Sequence, residues 1–71
     1  MPTDISREIG SRVQARRREL GISQEELAAL CKCHRTYVGM VERAEKKISV
    51  VTLSKFARAL KTSMSELLEG L

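Results

Sequence analysis

Ser23-Gln24-Glu25-Glu26-Leu27-Ala28-Ala29-Leu30-Cys31-Lys32-Cys33-His34-Arg35-Thr36-Tyr37-Val38-Gly39-Met40-Val41-Glu42-Arg43 is the stretch that decides the fold. Ser23, followed three residues later by Glu26, forms a capping box. Each side chain satisfies a backbone donor that a helix start leaves orphaned, so a helix begins at Gln24. Leu27, Ala28 and Cys31 recur at helical spacing, Cys33 and His34 interrupt, and Val38 and Val41 open a second apolar stripe. The stretch predicts two short amphipathic helices meeting in a tight corner at Lys32.

At roughly 100° per residue, Val38 and Val41 point to one side of the second helix and Thr36, Gly39, Met40 and Arg43 to the other, with Arg35 at the flank of the first turn. A solvated helix face usually carries several long charged side chains. This one carries a hydroxyl, a bare glycine, a thioether and an arginine near each end. Singly, a tolerated glycine and an exposed methionine are ordinary surface. Together they suit a helix that enters a DNA groove: Arg for guanine edges or phosphates, Thr for either, apolar atoms for the thymine methyl, and a small residue where backbones come close.

The run from Gln24 to Arg43, with Ala28 as its small residue and Val38 and Val41 as core anchors, resembles the helix-turn-helix of the Xre/Cro, lambdoid-repressor family. The resemblance extends through Ile48 to Leu53 and Ala59 to Leu68. His34-Arg35-Thr36-Tyr37-Val38 followed by Val41-Glu42-Arg43 is most similar to the controller proteins of restriction-modification systems. It implies an all-α, compact five-helix fold with a central helix-turn-helix, and a transcriptional regulator that represses or activates according to which operators are filled. One departure is Lys32 at the corner, where the family usually has glycine. A left-handed lysine costs roughly 1 kcal/mol relative to glycine, so a somewhat different turn is expected.

At 71 residues the chain reads as one domain, marginal as a lone monomer. Its net charge of +4 and sequence pI near 9.5 suit a polyanionic partner without requiring one. No apolar run is long enough to span a membrane and no signal-like segment opens the chain, which points to the cytoplasm. Thr3 or Asp4 is expected to cap a first helix to about Leu20, with Ile5, Ile9, Val13 and Leu20 as its inner stripe. Arg17 falls on that stripe, and a partly buried guanidinium needs a carboxylate; the candidate is Glu42, a pairing the resemblance also implies. Otherwise Arg17 snorkels to water. In the basic run Arg16-Arg17-Arg18, Arg16 is expected at a flanking phosphate and Arg18 in solvent.

Ser49 is expected to cap a fourth helix to about Leu60, and Ser63-Met64-Ser65-Glu66 to open a last short one as a second capping box. Val50, Val51, Met64, Leu68 and Leu71 exceed what one small core can hold, which marks them as a dimer interface. Cys31-Lys32-Cys33-His34 is one local cluster without a second pair to complete a zinc site, so no metal and no cofactor is expected, and the cysteines read as structural thiols.

The reading that follows is a homodimer placing two recognition helices in successive major grooves of a pseudo-palindromic double-stranded operator. Base contacts are assigned to Arg35, Thr36, Met40 and Arg43. Phosphate contacts are assigned to Ser23, Gln24, His34, Tyr37, Arg16, Lys46 and Lys47, Tyr37 having core packing as its alternative. RNA polymerase is a further partner if the protein activates. The alternative function is an antitoxin-like or anti-repressor module that uses the same fold to hold a protein. A catalytic reading is the weakest, because one histidine and no Gly-rich phosphate loop leave no grouping that resembles an active site.

Overall fold

The computed structural model describes residues 5–71 as α1 (Ile5–Glu19), α2 (Gln24–Cys31), α3 (Arg35–Glu42), α4 (Val50–Ala59) and α5 (Met64–Leu68), with no strand among the described residues. The cap expected at Thr3 or Asp4 lies outside those residues. No described helix is long and apolar enough to cross a membrane.

The helix starts are written locally. Ser23 Oγ accepts the Glu26 N–H at 3.0 Å while Glu26 Oε1 accepts the Ser23 N–H at 2.8 Å. Ser49 Oγ accepts the Thr52 N–H at 3.1 Å. Ser63 caps α5 in the same way, but its box is only half closed. The Glu66 carboxylate takes the hydroxyls of Thr62 and Ser63 at 3.0 and 3.3 Å instead of the Ser63 amide.

The ends of α2, α3 and α4 follow one pattern. After α2, Lys32 adopts φ 56°, ψ 45°, the Cys33 N–H reaches the Ala28 carbonyl and the Lys32 N–H the Ala29 carbonyl. This paired bonding to a left-handed residue is the Schellman motif. The lysine corner therefore takes the conformation a glycine would take, and the different turn expected there does not form. The motif recurs at Ala44 (φ 60°) after α3 and Lys61 (φ 56°) after α4. Each non-glycine costs roughly 1–2 kcal/mol in that region, offset by the carbonyls it satisfies.

Phe56, Leu27, Leu60, Val13, Val38 and Val41 are fully buried at the centre, joined by Ile9, Ala28, Cys31, Leu53, Ala57 and Leu67. Ile5, expected on the inner stripe, is half exposed instead. At the first described turn of α1 it lines a shallow cleft with Glu8, Arg12, Gly70 and Leu71, which cover it only in part. The buried residues of α1 are Ile9, Gly10 and Val13, and Gly10 is the one set against α3. A Cβ on Gly10 would collide with the Val41 carbonyl oxygen and come within 2.9 Å of that of Glu42. Glycine is what lets α1 lie against the carbonyl end of α3.

Arginines of α1 tie the other helices down. Arg12 Nη1 donates to the Leu67 carbonyl at 3.3 Å, and Arg16 donates from Nε to Leu60 O at 2.9 Å and from Nη2 to Lys61 O at 3.2 Å. Placing cations on the carbonyl ends of α4 and α5 complements their dipoles. The Arg16 guanidinium, expected at a flanking phosphate, donates to the carbonyl end of α4 while its side chain stays 34% exposed.

Candidate nucleic-acid interface

The junction of α1, α2 and α3 is fastened by one buried carboxylate. Arg17 Nε lies 2.7 Å from Glu42 Oε2 and Arg17 Nη2 3.2 Å from Oε1, with the side chains 11% and 1% exposed. Arg17 Nη1 also donates to the Ile22 carbonyl at 2.9 Å. Gln24 Nε2 reaches Glu42 Oε1 at 3.0 Å and Gln14 Nε2 reaches it at 3.4 Å. Burial pushes the Glu42 carboxyl up, but the bonds from Arg17, Gln24 and Gln14 together with the Arg17 charge outweigh it and hold the group below its ordinary value. Gln14 was invisible as a partner in the sequence, although it falls three residues before Arg17 on the same face of α1.

This node fixes how α3 is presented. His34 is its N-cap, Nδ1 accepting the Thr36 N–H at 3.1 Å. With Nδ1 as acceptor the ring proton sits on Nε2, which leaves an N–H donor at the helix start. Arg35 and Thr36 are exposed and Met40 is half-buried on the same surface. Tyr37 is partly buried against the core. The ring packs edge-on against Phe56, centroids 6.2 Å apart at 89°, and the hydroxyl has no partner among the described residues.

Gly39 is not the bare position its place on the wheel implied. It is buried, because the Arg43 side chain runs back over it; a Cβ there would stand 3.0 Å from Arg43 Nη1. Arg43 itself is paired with Glu45, a partner the sequence reading missed.

The flanks carry the groups expected at phosphate. Gln24 opens α2, and an amide nitrogen has two protons; one is on Glu42 and the other remains for an anion beside the helix start. The Ser23 hydroxyl accepts within the capping box and keeps its own proton to donate. Glu25 and Glu26 put negative charge on the same turn, so the amide of Gln24 and the orphan backbone N–H groups have that charge to work against. Lys46 and Lys47 are exposed in the loop after α3 and make no ion pair among the described residues.

Away from this face, Val50 and Val51 at the start of α4 are 72% and 66% exposed and Leu71 is 42% exposed. Met64 and Leu68 differ from expectation. They are partly buried against this chain's own core, since α5 packs on α1 and α4, and so add less free apolar surface than their sequence suggested. Cys31 is buried, its Sγ 3.8 Å from the Lys55 carbonyl, and burial together with the neighbouring Cys33 pushes its thiol up to about 11. Such a thiol is an unreactive packing group at neutral pH. No group of three potential metal ligands occurs among the described residues.

Comparison with known proteins places this geometry among relatives. The helix-turn-helix profile matches residues 13–67. Control protein C.SmaI of Serratia marcescens is 42% identical over 65 residues, 92% of this chain and 77% of that protein. Control protein C.BamHI of Bacillus amyloliquefaciens is 34% identical over 70 residues, 97% and 86% of the two chains. The crystal structure of the restriction-modification controller protein C.AhdI from Aeromonas hydrophila superposes with a TM-score of 0.84 at 40% identity, covering 87% of this chain and 94% of that one.

Proposed function

Because the chain belongs to the helix-turn-helix family whose profile spans most of it, we propose that it is a sequence-specific DNA-binding transcriptional regulator. It acts as a homodimer on a pseudo-palindromic operator, in the manner of the restriction-modification controller proteins it is similar to. The observation that carries the reading is the outer face of α3, where Arg35 and Thr36 are exposed beside Met40 and Arg43 while the opposite face is locked into the core by Val38, Val41 and Glu42.

Arg35 reads a guanine edge, and Thr36, Met40 and Arg43 read or flank neighbouring bases. Gln24, Ser23, His34, Tyr37, Lys46 and Lys47 meet phosphates and set the register. Gln24 links the two tasks, since its amide bonds both Glu42 and the DNA backbone. Val50, Val51 and Leu71, edged by Met64 and Leu68, form the dimer contact that spaces the two recognition helices one helical turn apart. RNA polymerase is a partner at those operators where the protein activates.

Selection of bound fragments from a random DNA pool tests the reading. The expected winner is an inverted repeat with half-sites about 10 base pairs apart centre to centre. A pool that returns no preferred sequence contradicts it. Arg35→Ala is expected to relax preference at one base pair per half-site, losing about 1–3 kcal/mol of discrimination, and equal losses on the winner and on random DNA would remove its base-reading role.

A further inference from the structure

Arg43 and Glu45 are the exposed counterpart of the buried node, and their geometry is specific. Arg43 is the C-cap of α3, and its side chain turns back along the helix. It lies in the slot left by the missing side chain of Gly39, Nη1 being 3.0 Å from where a Cβ would stand. Glu45 receives it with both oxygens, Oε2 from Nε at 3.1 Å and Oε1 from Nη2 at 3.2 Å. The backbone that brings Glu45 there is itself fixed. Ala44 holds a left-handed φ of 60°, its N–H bonds the Val41 carbonyl, and the Glu45 N–H bonds the Met40 carbonyl at 2.7 Å.

The chemistry of the fork follows from which donors are taken. A guanidinium has five N–H groups in one plane. Glu45 uses one on Nε and one on Nη2. The two on Nη1 and the second on Nη2 remain, and these form the end of the fork that matches the O6 and N7 acceptors of guanine. A free Arg43 on a flexible stem serves phosphate equally well, as a mobile cation. Clamped, it offers one orientation, and the Glu45 carboxylate beside it disfavours an approaching phosphate.

We infer that Glu45 is a positioning residue for specificity: it holds Arg43 in the Gly39 slot so that the free end of the guanidinium reads a guanine instead of settling on the DNA backbone. The inference rests on the proposed operator-reading function and adds to it the means by which one arginine is made selective.

The test compares base preferences selected from a random pool by the wild-type protein and by Glu45→Gln, Arg43→Ala, the double variant and Gly39→Ser, with the affinity of each for a scrambled duplex measured alongside. Glu45→Gln and Arg43→Ala are expected to lose preference at the same base pair, by about tenfold or more, as a lost bidentate base contact implies. The double variant is expected to lose no more than either. Glu45→Gln is also expected to bind scrambled DNA more tightly because it removes a negative charge, so the readout a merely structural role would not move is the loss of preference at the base pair Arg43→Ala affects, with the denaturation midpoint unchanged. Gly39→Ser fills the slot and is expected to weaken the same preference. Retention of the full preference by Glu45→Gln while Arg43→Ala loses it would overturn the positioning role and leave the operator reading intact. Failure of the wild-type protein to select any sequence would overturn both.

Discussion

Glu42 and Arg43 are neighbours in the chain, each in an arginine–glutamate pair, and the pairs differ in almost everything but chemistry. Glu42 faces inward, 1% exposed, with Arg17 at 2.7 Å and two glutamines on one oxygen. Arg43 faces outward, 57% exposed, with a single carboxylate from a residue two positions on. One step along a helix turns the side chain by roughly 100°, and that rotation separates a fastening within the core from a pair held on the surface. Distance alone would rank the pairs as similar. Burial decides, because a desolvated charge that loses its partner has no water to replace it, whereas an exposed pair exchanges one hydration shell for another.

The largest effect should therefore follow removal of the buried charge. Glu42→Gln is expected to lower unfolding free energy by about 3–5 kcal/mol in chemical denaturation, since Arg17 is left uncompensated. A loss near zero would break the comparison. The same carboxyl sets an acid limb. Its folded value lies below the ordinary 4.5, so its contribution is fully present above the unfolded value and is lost as pH falls through the folded one. The stability of Glu42→Gln is expected to be flatter than wild type over that acid range.

Next comes Gly10→Ala, where overpacking against the carbonyl end of α3 costs about 1–3 kcal/mol despite the better helix propensity of alanine. A stabilised variant would mean that α1 is free to slide. Gln24→Ala should cost about 1.5 kcal/mol in stability, the low end for a hydrogen bond to a charged group because Arg17 still holds Glu42. Its affinity loss should be similar on all DNA sequences in a binding titration. Smallest is Glu45→Gln, whose denaturation midpoint is expected to match wild type; a clear drop would show that the outer pair is structural.

What the sequence made legible was what neighbours in the chain decide. Ser23 with Glu26, Ser49 and Ser63 marked helix starts because capping acts within one turn, and Val38 with Val41 marked the buried face of α3. What it hid depends on residues brought together by folding. Gly10 reads as a weak helix position until the Val41 carbonyl lies against it. Arg16 reads as part of a basic surface run until the end of α4 arrives beneath it. Met64 and Leu68 read as surplus apolar surface until α5 folds onto α1 and α4. Lys32, Ala44 and Lys61 carry no glycine signal, since the carbonyls they satisfy, not their own preference, hold them left-handed. Within the candidate interface, Arg35 and Thr36 were legible by helical phase alone, while the slot over Gly39 needed Ala44 and Glu45 in place.

Whether this rigidly held face reads DNA sequence as a pair is decided by one titration. The duplex selected from the random pool and a scrambled duplex of equal length are titrated at two salt concentrations. Two chains per selected site are expected, binding at least about a thousandfold tighter than to the scrambled duplex, with a weaker salt dependence of the ratio than of either affinity. Equal affinities for both duplexes, falling together with salt, would mean that only phosphates are recognised and would contradict sequence reading by the pair.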